Sequence, residues 1–495
     1  MVLPARAALV CSRCVARTVQ VPIYGELDTK MKQLVRKIGG VFLFLMSWYP
    51  NISAQTTADT LAYDEYINYI LQYHPLARQA NLKLDLAAAN QLAARGNLDP
   101  KISADWTGKD FDDKIYYNIF QTKFQIPTRM GLDITGGYEY GKGDFLNPEN
   151  KTNKYGLVNL GVEVNLLQGL WVNERRTQFE QAEIFAQLSE NQRQIMLNEL
   201  VYFASLAYLN WQRYEAFEVI FEENIELAEA YFDNTKAAYL NGEKAAIDTL
   251  EAQIIRQDAI TLQQYNLANL TKAKYTVENF LWYENAPIEL RPDIFPQNYR
   301  GLLRPDLPEF APIQLIENHP ILLEKINKMS MKEVDIRLKR EKLKPKLKAK
   351  YNPLLATADE GRAINYTPLE AKWGVAFSMP IPMRSERADV QRSEIALQEI
   401  ALDLDDKRNE LLNKIENSWA QLAINTQQID FQEQNVENYL RLLEGENEKF
   451  LFGESSVFLI NKRQEKYING RLKLIDLLIK QQILRLEYRY FAGAP

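Results

Sequence analysis

The sequence predicts a mainly helical fold with a smaller transmembrane β portion, built from two copies of one plan. Three observations carry this prediction: two segments of more than 60 residues without Gly or Pro, short stretches of alternating hydrophobicity, and features that recur at a long offset. A length of 495 residues would otherwise suggest about three compact domains. Globular helices average about 11 or 12 residues, so segments this long indicate that the chain does not build one compact core.

The composition excludes several classes of function. Only two histidines, His74 and His319, occur in the chain, which leaves little for His-based catalysis or zinc binding. The net charge of -6 argues against a nucleic-acid binder, which usually has a basic excess. No Ser/His/Asp set and no phosphate-binding Gly loop is visible. We therefore expect a protein that is not an enzyme and that uses no cofactor, metal or nucleic acid.

Residues 31–54 have the pattern of a secretory signal peptide. A basic stretch precedes an apolar run from Ile38 to Trp48, and a small-residue cleavage site follows. Residues 1–30 have no assigned role, and we expect them to come from a start codon placed too far upstream. They hold both cysteines, Cys11 and Cys14, so the exported chain would contain none. Beyond the leader no apolar run reaches about 18 residues, so any membrane crossing is expected to be made by strands.

The duplication is visible in paired motifs. His74-Pro75 recurs as His319-Pro320 at an offset of 245, whereas Gly161 recurs as Gly374 at an offset of 213. The difference of 32 predicts an insertion of that length in the first copy, between Pro100 and Gly161. A period this long indicates a duplicated domain rather than a short-repeat solenoid.

Each copy is predicted to contain a β region, one very long helix, a Gly tip and a returning helix. The first copy covers residues 55–286, with a β region at 101–166, a long helix at 171–241 and a returning helix at 243–286. The second covers residues 309–495, with the corresponding parts at 346–382, 384–452 and 454–492. The Pro-rich segment 287–308 is predicted to link the copies in the equatorial region, outside the helix bundle.

The long helices are predicted to form antiparallel coiled-coil hairpins. A helix over 171–241 would be roughly 100 Å long. In the second copy, apolar residues recur every seventh position, which is typical of a coiled-coil seam. These residues are Ile415, Leu422, Ile429, Val436 and Leu443.

The β regions have the pattern of strands that face lipid on one side. Apolar and other residues alternate from Val158 to Leu166 and from Trp373 to Ile381. A tilted strand needs about 9–11 residues to cross a bilayer. A soluble sandwich strand has the same alternation, but the signal peptide and the flanking long helices favour lipid. The insertion adds two strand-like stretches, Lys114 to Ile126 and Met130 to Tyr140, and whether they join the same sheet stays open.

Over residues 59–493 the sequence resembles the TolC family of outer-membrane efflux proteins. The likeness rests on the order of motifs in both copies rather than on any single motif. The motifs are the paired His-Pro positions, Leu166-Leu-Gln-Gly169 before Asn173-Glu-Arg-Arg176, Met379-Pro-Ile-Pro382 before Arg384, and the tips at Gly242 and Gly453. The resemblance implies a passive outer-membrane channel of a tripartite efflux or type I secretion system. It implies a homotrimer in which each chain gives four strands to one 12-stranded barrel and its helices to a periplasmic α-barrel duct.

The resemblance also implies partners for the helical tips. In that family the tips meet a periplasmic adaptor, also called a membrane fusion protein, which links the duct to an inner-membrane pump of the resistance-nodulation-division or ABC type. The tip residues here are Leu240, Asn241 and Gly242 in the first copy and Leu451, Phe452 and Gly453 in the second. A helix C-cap alone would also explain both glycines.

The channel entrance departs from the family pattern. Family members commonly carry acidic residues about two turns beyond the second-copy glycine, where this chain has Leu459 and Lys462. The first copy has Asp248 and Glu251 instead. This departure argues against an acidic entrance. We hypothesise an apolar constriction formed by Phe450 together with Leu451 and Phe452 of the second tip.

A soluble periplasmic coiled-coil adaptor is the alternative interpretation. Such a protein would share the signal peptide and the helical hairpins. It would lack a whole-chain duplication and lipid-facing strands, which favours the outer-membrane channel. The sequence does not indicate which cargo is exported.

Overall fold

The computed structural model describes residues 59–302, 316–358 and 363–493, and the side chains of residue 302 and of residues 356–369 lie outside that description. The predicted signal peptide at 31–54 and the upstream residues 1–30 therefore lie outside the described residues. So does the end of the predicted linker, residues 303–308.

Helices dominate the described residues, and the strands form three sheets. The helices are α1 (Tyr63–Tyr73), α2 (Pro75–Gly96), α3 (Glu174–Leu240), α4 (Ala246–Glu278), α5 (Pro320–Glu341), α6 (Arg384–Leu451) and α7 (Val457–Phe491). The longer strands are β2 (Lys101–Phe111), β3 (Lys114–Pro127), β4 (Leu132–Lys142), β5 (Leu157–Asn165), β9 (Lys346–Ala358) and β10 (Ala363–Ser378). Short strands are β1 (Asp59–Leu61), β6 (Trp282–Tyr283), β7 (Ala286–Pro287) and β8 (Ile294–Pro296), and 3-10 turns lie at Pro148–Asn150 and Tyr299–Leu302. Among the residues described, no helix combines the length and the apolar character needed to cross a membrane.

The two long helices have 67 and 68 residues. Their bounds lie within three residues of the expected 171–241 and 384–452. The returning helix α4 is shorter than the expected 243–286, because the chain leaves the helix after Glu278 and forms the β6–β7 hairpin. Glu284, in the turn of that hairpin, has a φ of 55°, which a helix cannot accommodate.

The described residues pack as two compact units that do not coincide with the two sequence copies. The helical unit consists of residues 59–74, 203–302 and 425–483. The sheet unit consists of residues 75–202, 316–424 and 484–493. Each unit takes segments from both copies, so a copy is a unit of sequence and not of packing.

The sheet unit contains one antiparallel sheet in the order β10-β9-β5-β4-β3-β2. The insertion therefore adds β3 and β4 to the sheet, between β2 and β5. Asp112 and Asp113, both with positive φ, form the two-residue turn between β2 and β3, as a tight hairpin requires. The sheet of one chain thus has six strands, two more than the four that the resemblance implies for the barrel, and the number of strands that enter a barrel stays a prediction.

The core of the sheet unit lies where α5, α6 and α7 meet. Leu322, Leu411, Ile415 and Tyr488 are at most 5% exposed and pack in one cluster. Of the predicted seam residues, Ile415 and Leu422 are fully buried, while Val436 and Leu443, nearer the tip, are half-buried. The seam is therefore tightest in the sheet unit.

The core of the helical unit forms around aromatic residues of α3. Trp211, Tyr208 and Tyr66 have no exposed surface. The Tyr208 hydroxyl donates to the Leu61 carbonyl at 2.5 Å and accepts from the Gln297 N–H at 2.9 Å. These bonds tie the parallel pair β1 and β8 to α3. The predicted Pro-rich linker thus contains ordered structure anchored to this unit.

Candidate functional site

Both long helices end in the same C-terminal cap. In each cap the glycine just past the helix has a positive φ (79° and 76°), and two N–H groups donate back to carbonyls of the last turn. This arrangement is the Schellman motif. The bonded pairs are Gly242 N to Tyr239 O (2.9 Å), Glu243 N to Ala238 O (2.9 Å), Gly453 N to Phe450 O (3.0 Å) and Glu454 N to Lys449 O (2.9 Å).

The predicted tip residues are exposed, and several are large and apolar. Leu240 is 74% exposed, Leu451 is 82% and Phe452 is 81%. Asn241 and the two tip glycines are exposed as well. Exposed apolar side chains at the end of a helical hairpin are typical of an interaction surface. We define the tip surface as Leu240, Asn241, Gly242, Leu451, Phe452 and Gly453.

The predicted entrance residues have local partners. The Asp248 carboxylate accepts from the Ala245 N–H at 3.1 Å, which caps the first turn of α4. Lys462 donates to Glu465 at 2.7 Å along α7. Lys462 and Glu251 line one groove of the helical unit, with a volume of 530 Å³. Of the two acidic residues, Asp248 acts as a helix cap because of its bond to the Ala245 N–H.

The other entrance residues are apolar and partly exposed. Phe450 and Leu459 are each 40% exposed. An apolar constriction would have to form between chains, so it stays a hypothesis about the assembly.

A clamp near the second tip was not predicted from the sequence. Glu446 of α6 accepts from the Ser455 hydroxyl at 2.6 Å and from the Arg463 guanidinium at 3.3 Å. The Ser455 hydroxyl, and then Arg463, lower the pKa of the Glu446 carboxyl. The clamp joins the two helices of the second hairpin just behind its tip. In the sequence, the only indication of this clamp is a glutamate and a serine that lie nine residues apart on either side of a glycine turn.

One face of the six-stranded sheet is apolar and open. Register places side chains of every strand on this face, and on it large apolar residues are unusually exposed. They are Ile102 (79%), Trp106 (74%), Phe124 (41%), Ile134 (37%), Leu160 (56%), Val162 (40%), Tyr351 (44%), Trp373 (74%), Val375 (64%) and Phe377 (65%). Soluble monomers rarely expose an apolar surface of this extent.

The opposite face is polar and carries ion pairs. Lys348 pairs with Glu163 on the adjacent strand, and Lys372 pairs with Glu139. Thr135 donates to Asn352 at 2.9 Å, across the strand that carries Gly161. The two faces thus differ as the faces of a membrane strand do, with lipid on one side and water on the other.

The motifs after β5 hold the sheet against the start of α3. Arg175 forms an ion pair with Asp133 of β4 at 2.5 Å. The Asn173 carboxamide accepts from the Arg176 N–H at 2.9 Å and caps the helix. The Gly169 N–H donates to the buried carboxylate of Glu341 at 3.1 Å. These motif residues therefore have structural roles at the end of the sheet.

Models of known protein families give no match to this sequence, and neither do curated protein sequences. Solved structures do match. The Campylobacter jejuni CmeC outer membrane channel has 12% identity and a TM-score of 0.62, with 87% of this chain and 85% of that chain covered. The Vibrio cholerae outer membrane protein VceC has 12% identity and a TM-score of 0.62, with 87% and 96% covered.

A third match is the open state of the Neisseria gonorrhoeae MtrE outer membrane channel, with 14% identity, a TM-score of 0.59 and coverage of 87% of this chain and 89% of that chain. At these identities the likeness concerns the fold. The mainly helical fold predicted from the sequence is confirmed, and the chain has the fold of these outer-membrane channels.

Proposed function

We propose that the protein is an outer-membrane channel of a tripartite efflux or type I secretion system. In this proposal it is a homotrimer that serves as a passive duct and exports substrates from the periplasm or from an inner-membrane pump to the exterior. It catalyses no reaction. Its fold, shared with the solved outer-membrane channels, supports this proposal.

The open apolar face of the sheet carries the proposal. The six strands have between 9 and 16 residues, enough to cross a bilayer. Transfer of this face into lipid would remove Trp106 and Trp373, each 74% exposed, from water. Burial of apolar surface stabilises by about 25 cal/mol per Å². The alternative interpretation, a soluble periplasmic adaptor, does not explain this face, because such a protein would expose it to water.

The tip surface would meet the periplasmic adaptor, which links the duct to a pump of the resistance-nodulation-division or ABC type. The exposed side chains of Leu240, Leu451 and Phe452 supply apolar area for this contact. The Schellman caps hold both tips in one backbone form, so little ordering would be needed on binding.

Cell fractionation tests the proposal. Inner and outer membranes are separated on a density gradient, and outer-membrane samples are run on gels with and without heating. We expect the protein in the outer membrane, as a trimer that survives detergent until it is heated. Recovery as a soluble periplasmic protein would contradict the proposal and favour the adaptor interpretation.

A second experiment tests the tip surface. Recovery of a periplasmic adaptor from the same cells by co-purification is compared for the wild type, Phe452→Asp and Phe431→Asp. Phe431 is a matched control, since it is 67% exposed on α6 but lies 21 positions before Phe452. We expect Phe452→Asp alone to reduce adaptor recovery at least tenfold. Equal recovery with all three proteins would remove the tip from the proposal.

A further inference from the structure

The sheet has two open edges. Neither β2 nor β10 has a second neighbouring strand among the residues that the structure describes. Every residue of β2 is exposed, and Trp373 of β10 is 74% exposed. Each edge therefore presents a row of N–H and C=O groups that no strand in the sheet pairs.

Open edges are not tolerated in lipid. An unpaired backbone N–H or C=O group is strongly unfavourable in hydrocarbon, so sheets cross membranes only as closed barrels. The chain cannot close its own sheet at a useful size, because a barrel interior needs about eight strands just to hold its side chains. Another copy of the chain must then cover the edges.

The edges of successive copies are compatible. With six strands in antiparallel order, β2 and β10 run in opposite directions. Pairing of β10 from one copy with β2 from the next therefore continues the antiparallel order. It also keeps faces aligned, since Trp106 and Trp373 lie on the same apolar face.

We propose that three copies close through β2–β10 contacts into one barrel of 18 strands. This proposal rests on the proposed function, which supplies the membrane and the trimer. The hairpin β2–β3 is then part of the wall and forms the contact with the next copy. With strands about 4.8 Å apart and tilted by about 40°, the wall would be about 36 Å across, against about 24 Å for 12 strands. The barrel would then admit bulky solutes, and the size limit would lie in the helical part.

The competing arrangement is a 12-stranded barrel from which β2 and β3 have separated. In that case β4, which runs in the same direction as β2, would pair with β10 of the next copy. Cysteine pairs distinguish the two arrangements. Trp106 of β2 and Tyr140 of β4 both lie level with Phe120 of β3, on one face, so they form a matched pair of positions.

The experiment introduces Trp106→Cys or Tyr140→Cys together with one cysteine on β10. The native cysteines, Cys11 and Cys14, are replaced by serine so that only the new thiols react. Outer membranes are treated with a mild oxidant and run on non-reducing gels. The β10 positions, all on the apolar face, are Ala371, Trp373, Val375 and Phe377.

We expect covalent dimers and trimers from at least one pair that contains Trp106→Cys and none from pairs that contain Tyr140→Cys. Products from Tyr140→Cys, or trimers on unheated gels without any covalent product, would overturn the 18-stranded closure and leave the channel function standing. A monomer in the soluble fraction would overturn both. Electron cryomicroscopy of the wild-type trimer gives a readout without variants: 18 strands support the proposal and 12 contradict it.

Discussion

Gly470 lies where α7 comes close to α6. A Cβ at this position would lie 2.9 Å from Cδ2 of Tyr439, and the Gly470 carbonyl accepts from the Gln432 side chain at 2.9 Å. Gly445, the other glycine inside these two helices, has open space around it. One glycine is therefore required by packing and the other is not, a difference that no sequence pattern shows.

Gly470→Ala is expected to lower stability by about 1–3 kcal/mol, because the methyl group must displace Tyr439. Gly445→Ala is expected to raise it by about 0.5–1 kcal/mol, since alanine is the better helix former. Thermal unfolding of the detergent-solubilised protein, followed by circular dichroism, measures both. A midpoint for Gly470→Ala at or above that of Gly445→Ala would refute the packing argument.

His319 is buried at the start of α5, and its Nδ1 accepts from the Ile321 N–H at 3.2 Å. Burial, and then the positive charge of Lys407, lower the pKa of His319 from 6.5 to about 4, and the Phe491 carbonyl offsets part of this. The folded state thus resists a proton that the unfolded chain accepts. The contribution of His319 to the free energy of unfolding is fully present above pH 6.5 and is lost as the pH falls from 6.5 to about 4.

The loss at this one site could reach roughly 3 kcal/mol at the acid end, since one pKa unit corresponds to about 1.4 kcal/mol. His319→Asn keeps a capping acceptor and removes the titration, so it isolates this contribution. We expect the stability difference between wild type and His319→Asn to shift by that amount between pH 7 and pH 4 in chemical denaturation. A difference that does not change with pH would contradict the assignment.

At the scale of elements, strand β5 places neighbouring residues on the two different faces of the sheet. Leu160 is 56% exposed on the apolar face, and Asn159 beside it points to the polar face, where it donates to Glu139 at 3.4 Å. A lysine at a mid-membrane lipid-facing position costs about 2–4 kcal/mol. A lysine at 159 would instead face water and could pair with Glu139.

Leu160→Lys is therefore expected to reduce the amount of heat-sensitive trimer in outer membranes strongly, while Asn159→Lys leaves it near the wild-type level. Immunoblots of unheated outer-membrane samples compare the three proteins. Equal tolerance of both lysines would mean that this face does not contact lipid.

The tip hairpins carry the second prediction at this scale. Leu451 and Phe452 are the most exposed apolar residues of the second tip. If they narrow the entrance, Phe452→Ala or Leu451→Ala should raise the single-channel conductance in planar bilayers. An unchanged conductance in both variants would exclude the apolar constriction. Phe431→Ala, on the same helix but away from the tip, is the control.

Elements differ in how far the sequence predicts them. The long helices were predictable to within three residues, because a long stretch without Gly or Pro contains neither of the residues that most often end a helix. The end of α4 at Glu278 was not, since nothing local distinguishes Asn279 from the residues before it. Strand pairing was also not predictable. The sequence indicates that β3 and β4 form a hairpin, but it does not show that this hairpin lies between β2 and β5 in the sheet.

At the scale of the whole molecule, the duplication was visible in the sequence but the packing units were not. The offsets between paired motifs show that the chain was duplicated, but they do not show which segments pack together. Each packing unit combines segments of both copies. The tip glycines were predictable from their order in both copies. The Glu446 clamp was not, because its partners come together only when the hairpin closes. Contacts between copies depend on the assembled wall, so they remain proposals.

The central claim is that this protein conducts through a lipid membrane. Purified wild-type protein added to one side of a planar bilayer tests this most directly. We predict discrete, uniform conductance steps that appear with the trimer fraction and disappear after the sample is heated. A trimer that produces no conductance steps, at every voltage and protein concentration tried, would contradict the claim.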